Sequence, residues 1–183
     1  TYKNYLAKYK INNFEETEQL IEKQRMIKDE EEIDLIEKAC YITDQCFDHI
    51  CKYIKVGMSE KEIAYEIENF FRKNEADGLA FDTIVASGKN SSKPHAVPTD
   101  KKIEMGDPIT IDMGCKYKGY CADMTRTIFA KYVPVQIQGV YELVLKNQRQ
   151  TAEEYKDGAS IGMLSRMVQN DFKLHGYDLI HSL

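Results

Sequence analysis

ITIDMGCKYKGYCADMTRT, residues 109–127, is the most regularly patterned stretch of this 183-residue chain. Ile109, Ile111 and Met113 fall on one face and Thr110 and Asp112 on the other, the period of two that marks a strand. A second run, Cys121 to Phe129, sets Met124, Arg126 and Ile128 against Asp123, Thr125 and Thr127. Tyr117-Lys118-Gly119 between the runs suits a turn, because Gly adopts positive φ without steric cost. A turn centred between Tyr117 and Lys118 places Asp112 opposite Asp123 and Thr110 opposite Thr125.

Opposed residues of an antiparallel pair share a face, with Cβ atoms roughly 5 Å apart. Two carboxylates so placed repel each other, and either a shared proton or a cation relieves them. Hard divalent ions take oxygen ligands, so the pair is a start on a metal site. A solvated outer face, on which two aspartates need no partner, is the competing explanation. Aspartate is a poor strand former, and its presence at two mirrored positions favours the metal.

Outward from the hairpin, composition narrows the field. A net charge of −5 and no basic run longer than Lys101-Lys102 give no footing for nucleic acid or an anionic membrane. No apolar stretch approaches the roughly 20 residues of a membrane-spanning helix, and no signal peptide opens the chain. The length suffices for one domain with a sizeable core. Five cysteines without a CxxC pair read as reduced thiols in the cytoplasm, with a Cys115–Cys121 bridge disfavoured. Thr1 in place of an initiating Met suggests a piece of something longer.

Tyr2, Tyr5, Leu6 and Tyr9 share one helical face in a polar opening segment. From Asp29 to Lys55, the spacing of Ile33, Ile36, Cys40, Thr43, Phe47, Ile50 and Ile54 predicts a long helix buried along that stripe. Asp29 to Glu32 suit its positive end, Gly57 supplies the stop, and His49 falls off the stripe, toward solvent. Ser59-Glu60-Lys61-Glu62 is a capping box that starts a second helix, buried through Ile63, Ile67, Phe70 and Phe71. Phe81 to Ser87 reads as a strand closed by Gly88-Lys89-Asn90. His95 lies in a loop fixed by Pro94 and Pro98, where a bond to nearby backbone is its simplest role. Beyond the hairpin, Pro134 opens a helix with a stripe of Ile137, Val140, Tyr141, Val144 and Leu145. Leu164, Met167, Val168 and Phe172 mark another, ending near His175-Gly176, and residues 177–183 read as a final strand.

Ile111-Asp112-Met113-Gly114, Tyr117-Lys118-Gly119-Tyr120 and Asp123-Met124-Thr125-Arg126-Thr127 together resemble the first metal-binding hairpin of the pita-bread metallopeptidases. That group holds methionine aminopeptidases, Xaa-Pro aminopeptidases and prolidases, and Thr125-Arg126-Thr127 resembles the Xaa-Pro branch more than the methionine branch. The resemblance implies an α+β fold with helices packed on antiparallel β-sheet, present here in part. Residues 1–26 would be a linker or tail of a missing N-terminal domain, and 27–183 the N-terminal part of the catalytic domain.

What the resemblance implies for the site follows residue by residue. Asp112 and Asp123 match the first two metal ligands, Asp112 on one ion and Asp123 bridging two divalent ions (Mn, Co or Zn). His95 and His181 match two substrate-facing histidines, and Arg126 supports the hairpin from its other face. The third, fourth and fifth ligands have no counterpart in these positions. The implied activity is release of the N-terminal residue from Xaa-Pro peptides or dipeptides by a cytoplasmic, homodimeric hydrolase. The 183 residues alone are expected to bind metal weakly, to lack activity, and to oligomerise or aggregate through open strand edges. Alternatives are a non-enzymatic binding module of the same fold, a creatinase-like enzyme working without metal, or a methionine aminopeptidase-like enzyme. Intact aspartates weigh against the first two.

Overall fold

The computed structural model describes residues 8–9 and 17–179. Among them, α1 (Leu20–Met26), α2 (Glu30–Tyr53) and α3 (Glu60–Lys73) precede β1 (Gly78–Leu79), β2 (Ile84–Ser87) and a 3₁₀ turn, Gly88–Ser92. Then come β3 (Pro108–Met113), β4 (Cys115–Tyr117), β5 (Tyr120–Cys121), β6 (Met124–Phe129), α4 (Val135–Glu154) and α5 (Ile161–Leu174). The strands form two antiparallel sheets, ordered β1-β4-β5 and β2-β3-β6, and α2 and α3 pack against them. This is the α+β layering expected of the chain. Tyr2, Tyr5, Leu6 and His181 lie outside the described residues, and 177–179 form no strand.

Both α2 and α3 begin in capping boxes. Ser59 and Glu62 exchange side-chain and backbone bonds as the sequence requires, and Asp29 and Glu32 do the same at α2, where acidity alone had suggested only a dipole effect. The main core gathers Ile50, Ile63, Ile67 and Phe71 of the helices with Ile103, Ile109, Ile111 and Met113 beneath them, all essentially inaccessible. On β3 the burial alternates strictly, apolar residues inward and Pro108, Thr110 and Asp112 outward.

The buried face of α2 differs from the stripe its hydrophobicity suggested. Ala39, Ile42, Thr43, Cys46 and Ile50 are buried, whereas Ile33 and Cys40 are exposed. Size decides the matter: small Ala39 and Thr43 let the ribbon come close. There the Thr43 hydroxyl accepts the Cys115 amide (3.3 Å) while the Cys115 thiol donates to the Ala39 carbonyl (3.3 Å). His49 is half-buried rather than solvent-directed, bonded to Glu66 at 2.7 Å and stacked on Phe70 with ring centroids 5.1 Å apart. The five cysteines are free; Cys115 is buried and Cys121 exposed, so no bridge joins them. Burial, reinforced by the neighbouring Cys115 and Glu66, pushes the Cys46 thiol up to about 12, where it stays protonated.

The hairpin turns one residue later than its spacing suggested. Lys118 (φ 46°) and Gly119 (φ 90°) are the two central residues, both in the left-handed region that two-residue hairpin turns demand. Asp112 therefore faces Thr125 rather than Asp123, and Thr110 faces Thr127 rather than Thr125, their hydroxyls 3.2 Å apart. Each partner moves by two positions, an even step, so every side chain keeps its expected face. Between β3 and β4, Gly114 passes under the partner strand so closely that a Cβ would lie 1.9 Å from the Ala122 carbonyl oxygen.

On α4 the stripe Ile137, Val140, Tyr141, Val144 and Leu145 is not a core face: it lines an open groove against β6. The buried residues are Leu143 and Asn147, closed over by Val168 and Phe172 of α5 in a separate cluster. Burial follows the nearest helix, not the more hydrophobic side.

Gly114→Ala should cost about 1–3 kcal/mol, because the backbone oxygen above it cannot swing aside as a side chain can; the shift of the urea midpoint measures this. A second expectation concerns Glu62, held at about 2 by the Ser59 amide, the Ser59 side chain and Lys102. Its folded value lies below the ordinary 4.5, so its contribution is present above 4.5 and lost as pH falls toward about 2. Melting curves of Glu62→Gln should show a smaller loss of stability than the parent across that interval.

Candidate metal centre

The outward face of β3 and the start of β6 carry the acidic residues singled out by the sequence. Asp112 is half-buried, and Thr125, directly across the ladder, donates its hydroxyl to Asp112 Oδ1 at 2.8 Å. Asp123 sits one residue before β6, diagonal to Asp112. Burial, then the Asp112 charge, then a hydrogen bond to Asp112 push the Asp123 carboxyl above the ordinary 3.8. The two carboxyl groups thus meet on one face of the ribbon, and the Asp112 charge makes Asp123 harder to ionise.

Several bonds hold the ribbon where these groups converge. Gly114 admits the Ala122 carbonyl, which sets the course of the strand into Asp123. Ala122 donates to the Cys115 carbonyl (3.0 Å), and Ala80 to the Gly114 carbonyl (2.9 Å). At the tip, the Tyr120 hydroxyl donates to Glu32 at the start of α2 (2.7 Å), and the Gly119 amide to Asp77 (3.2 Å). Such anchoring at the tip and along both edges leaves the carboxylates little freedom to part. Arg126 pairs with Ile111, on the opposite face from Asp112, and its guanidinium donates to the Thr125 carbonyl (2.9 Å).

The donor set suits a hard cation in part. Two carboxylates in contact are the oxygen chemistry such ions select, but they supply at most four oxygens where about six or more are taken. Among the described residues, no three His, Cys, Asp or Glu side chains gather into a metal-holding group, so His95 is not a third ligand beside the pair. His95 is exposed, in the segment between the 3₁₀ turn and residue 99, with Ala96 beside it buried. His181 lies outside the described residues. The groove beside β6, about 740 Å³, reaches Thr110 and Thr125 and is bounded by Phe129, Tyr141 and Arg149.

Two contributors escaped the reading of the sequence. Thr125 was placed opposite Thr110, and only the true register puts its hydroxyl on Asp112. Glu60, read as one more acid in a first helical turn, is fully buried and bonded to both ends of the segment that carries His95.

The pattern of metallopeptidase family M24 matches residues 34–183. The chain is 38% identical over 182 residues to a Xaa-Pro dipeptidase of Pyrococcus furiosus, covering 98% of this chain and 52% of that protein. It is likewise 38% identical to an uncharacterized peptidase of Bacillus subtilis, over 97% of this chain and 50% of the other. Among solved structures, a Xaa-Pro dipeptidase from Bacillus anthracis superposes with a TM-score of 0.92 at 38% identity, covering all of this chain and 52% of that one. A prolidase from Pyrococcus furiosus gives 0.91 at 37% identity, over 100% and 55% of the two chains. The chain therefore has the pita-bread fold of these prolidases and spans about half the length of the relatives it matches. With the match running through most of its length, the chain belongs to metallopeptidase family M24.

Proposed function

We propose that this chain supplies the first half of the catalytic centre of a metal-dependent Xaa-Pro dipeptidase. The observation that carries the reading is the contact between the Asp112 and Asp123 carboxyls on one anchored face. Metal-free, that contact is a repulsion the fold must tolerate, and a bound cation turns it into an attraction. The likeness to proteins described as Xaa-Pro dipeptidases supports the substrate class, a peptide with proline at its second position.

Asp112 and Asp123 would hold divalent ions (Mn, Co or Zn), with further ligands from outside the described residues. Paired ions, when bound, lower the pKa of a water nucleophile and polarise the peptide carbonyl. The chain's own residues then have distinct tasks. Thr125, donating to Asp112, fixes the orientation in which that carboxylate offers its oxygens. His95 would donate to the scissile peptide or its developing oxyanion, and His181 would do the same from the end of the chain. The groove lined by Phe129, Ile137, Val140 and Tyr141 offers an apolar wall that reaches Thr125, the residue bonded to Asp112, and suits a prolyl ring. Residues 27–183 would form the first part of the catalytic domain and 1–26 its link to a preceding domain, in a cytoplasmic homodimer.

The 183 residues alone should bind manganese no more tightly than about 10⁻⁴ M, the range of ligand-poor oxygen sites, and leave Xaa-Pro dipeptides intact. Calorimetric titration giving micromolar affinity would overturn that expectation. Asp123→Asn should raise the melting temperature of the metal-free chain at neutral pH, by removing the repulsion, while weakening manganese binding further. A variant that is less stable yet binds metal as before would remove the ground for the metal centre. In the whole protein, Asp112→Asn and Asp123→Asn should reduce hydrolysis of an Xaa-Pro dipeptide to background. Turnover of a peptide with N-terminal methionine and no proline at the second position would instead point to the methionine branch.

A further inference from the structure

Glu60 is the first residue of α3 and has no accessible surface. A carboxylate there could serve the helix dipole equally well from solvent, so its burial calls for another explanation. Among the described residues, every bond its side chain accepts comes from the chain on either side of His95. Glu60 Oε1 accepts the Ser87 amide (2.7 Å), the Ser87 hydroxyl (2.9 Å) and the Asn90 side-chain amide (3.1 Å). Glu60 Oε2 accepts the Thr99 amide (3.0 Å), the Thr99 hydroxyl (2.6 Å) and the same Asn90 group (3.2 Å).

Ser87 ends β2, Asn90 lies in the 3₁₀ turn, and Thr99 follows Pro98. The carboxylate therefore ties the two ends of a loop whose middle carries His95. Backbone bonds dock the exit of that loop on the same helix end: Lys61 donates to the Thr99 carbonyl (3.1 Å) and Glu60 to the Lys101 carbonyl (3.2 Å). Lys101 joins the cluster through Ser87, its ammonium on the Ser87 hydroxyl (3.1 Å) and paired with Asp107 (2.7 Å), and Asp107 immediately precedes β3. One buried acid thus connects the His95 loop to the strand that carries Asp112.

We infer that Glu60 is a positioning residue for His95: it clamps both ends of the 90–99 loop so that the imidazole is presented in a set place relative to β3. The assignment rests on the reading of His95 as a substrate-facing group, which is itself proposed above. Burial works most strongly against ionisation of Glu60, yet the bonds from Thr99, Ser87 and Asn90 outweigh it and keep the carboxyl below its ordinary range, so the clamp is charged at neutral pH. Glutamine keeps the shape but offers one acceptor oxygen in place of two, and turns an N–H toward donors on one side.

The test uses the 183-residue chain labelled with ¹³C at the histidine ring, the His95 signal being assigned with His95→Gln. Glu60→Gln should move or broaden the His95 signal and leave those of His49 and His175 in place. Thr99→Val, which keeps the buried carboxylate and removes one hydroxyl, should do the same more weakly, and Thr99→Ser should restore the parent spectrum. If Glu60→Gln does not fold, the Thr99 pair decides. A folded Glu60→Gln, or a Thr99→Val, with an unmoved His95 signal would overturn the inference and leave Glu60 a purely structural acid. In the whole protein, Glu60→Gln should lower kcat about 100-fold, the scale of a small misplacement, with KM little changed. Combined with His95→Gln it should add almost nothing. If His95→Gln itself leaves hydrolysis untouched, the assigned role of His95 falls while the spectroscopic result still judges the clamp.

Discussion

The Ala122 carbonyl crosses over residue 114 at a distance that only a hydrogen atom in place of a Cβ permits. Much of the architecture depends on that crossing. It marks where one continuous ribbon, Pro108 to Phe129, passes from the β2-β3-β6 sheet to the β1-β4-β5 sheet without losing register. On one side of it the ribbon presents Asp112 and Asp123 outward; on the other it docks against α2 through Cys115 and Thr43. A side chain at 114 would part the strands where the two acids have to meet.

Polar groups inside the molecule are placed with the same economy. Thr43, Cys115 and the Ala39 carbonyl satisfy one another, and Glu60 draws its bonds from Ser87, Asn90 and Thr99. Unpaired, such groups would cost about 1–3 kcal/mol each. Paired, they join segments far apart in sequence: α2 to the hairpin, α3 to the loop before β3. The acidic face belongs to the opposite kind of arrangement. Asp112 and Asp123 are brought together by a rigid frame although their charges oppose it.

Much of this was legible in the letters. Alternation over Ile109 to Met113 and over Cys121 to Phe129 identified β3 and β6, although β6 begins only at Met124, and the capping box at Ser59 placed the start of α3 to the residue. The ordered run from Ile111 to Thr127 was enough to name the family. The errors have physical causes. The turn slid by one residue because Lys118 accepts a positive φ that its residue type does not advertise. Ile33 and Cys40 were assigned to a core from which close packing of small residues excluded them. The stripe on α4 was hydrophobic as read, but hydrophobicity does not say what covers a face, and here it lines a groove.

The sequence by itself determined the elements and the face on which each residue of the hairpin lies, because backbone periodicity is local and an even slip in register leaves it intact. Tertiary structure decided who faces whom: Thr125 on Asp112, Asp123 diagonal to Asp112 and not directly across from it, and Glu60 beneath both ends of the His95 loop. Those pairings join residues 11 to 39 positions apart, and they follow from turn geometry and packing density, neither of which is written in any single window of the chain.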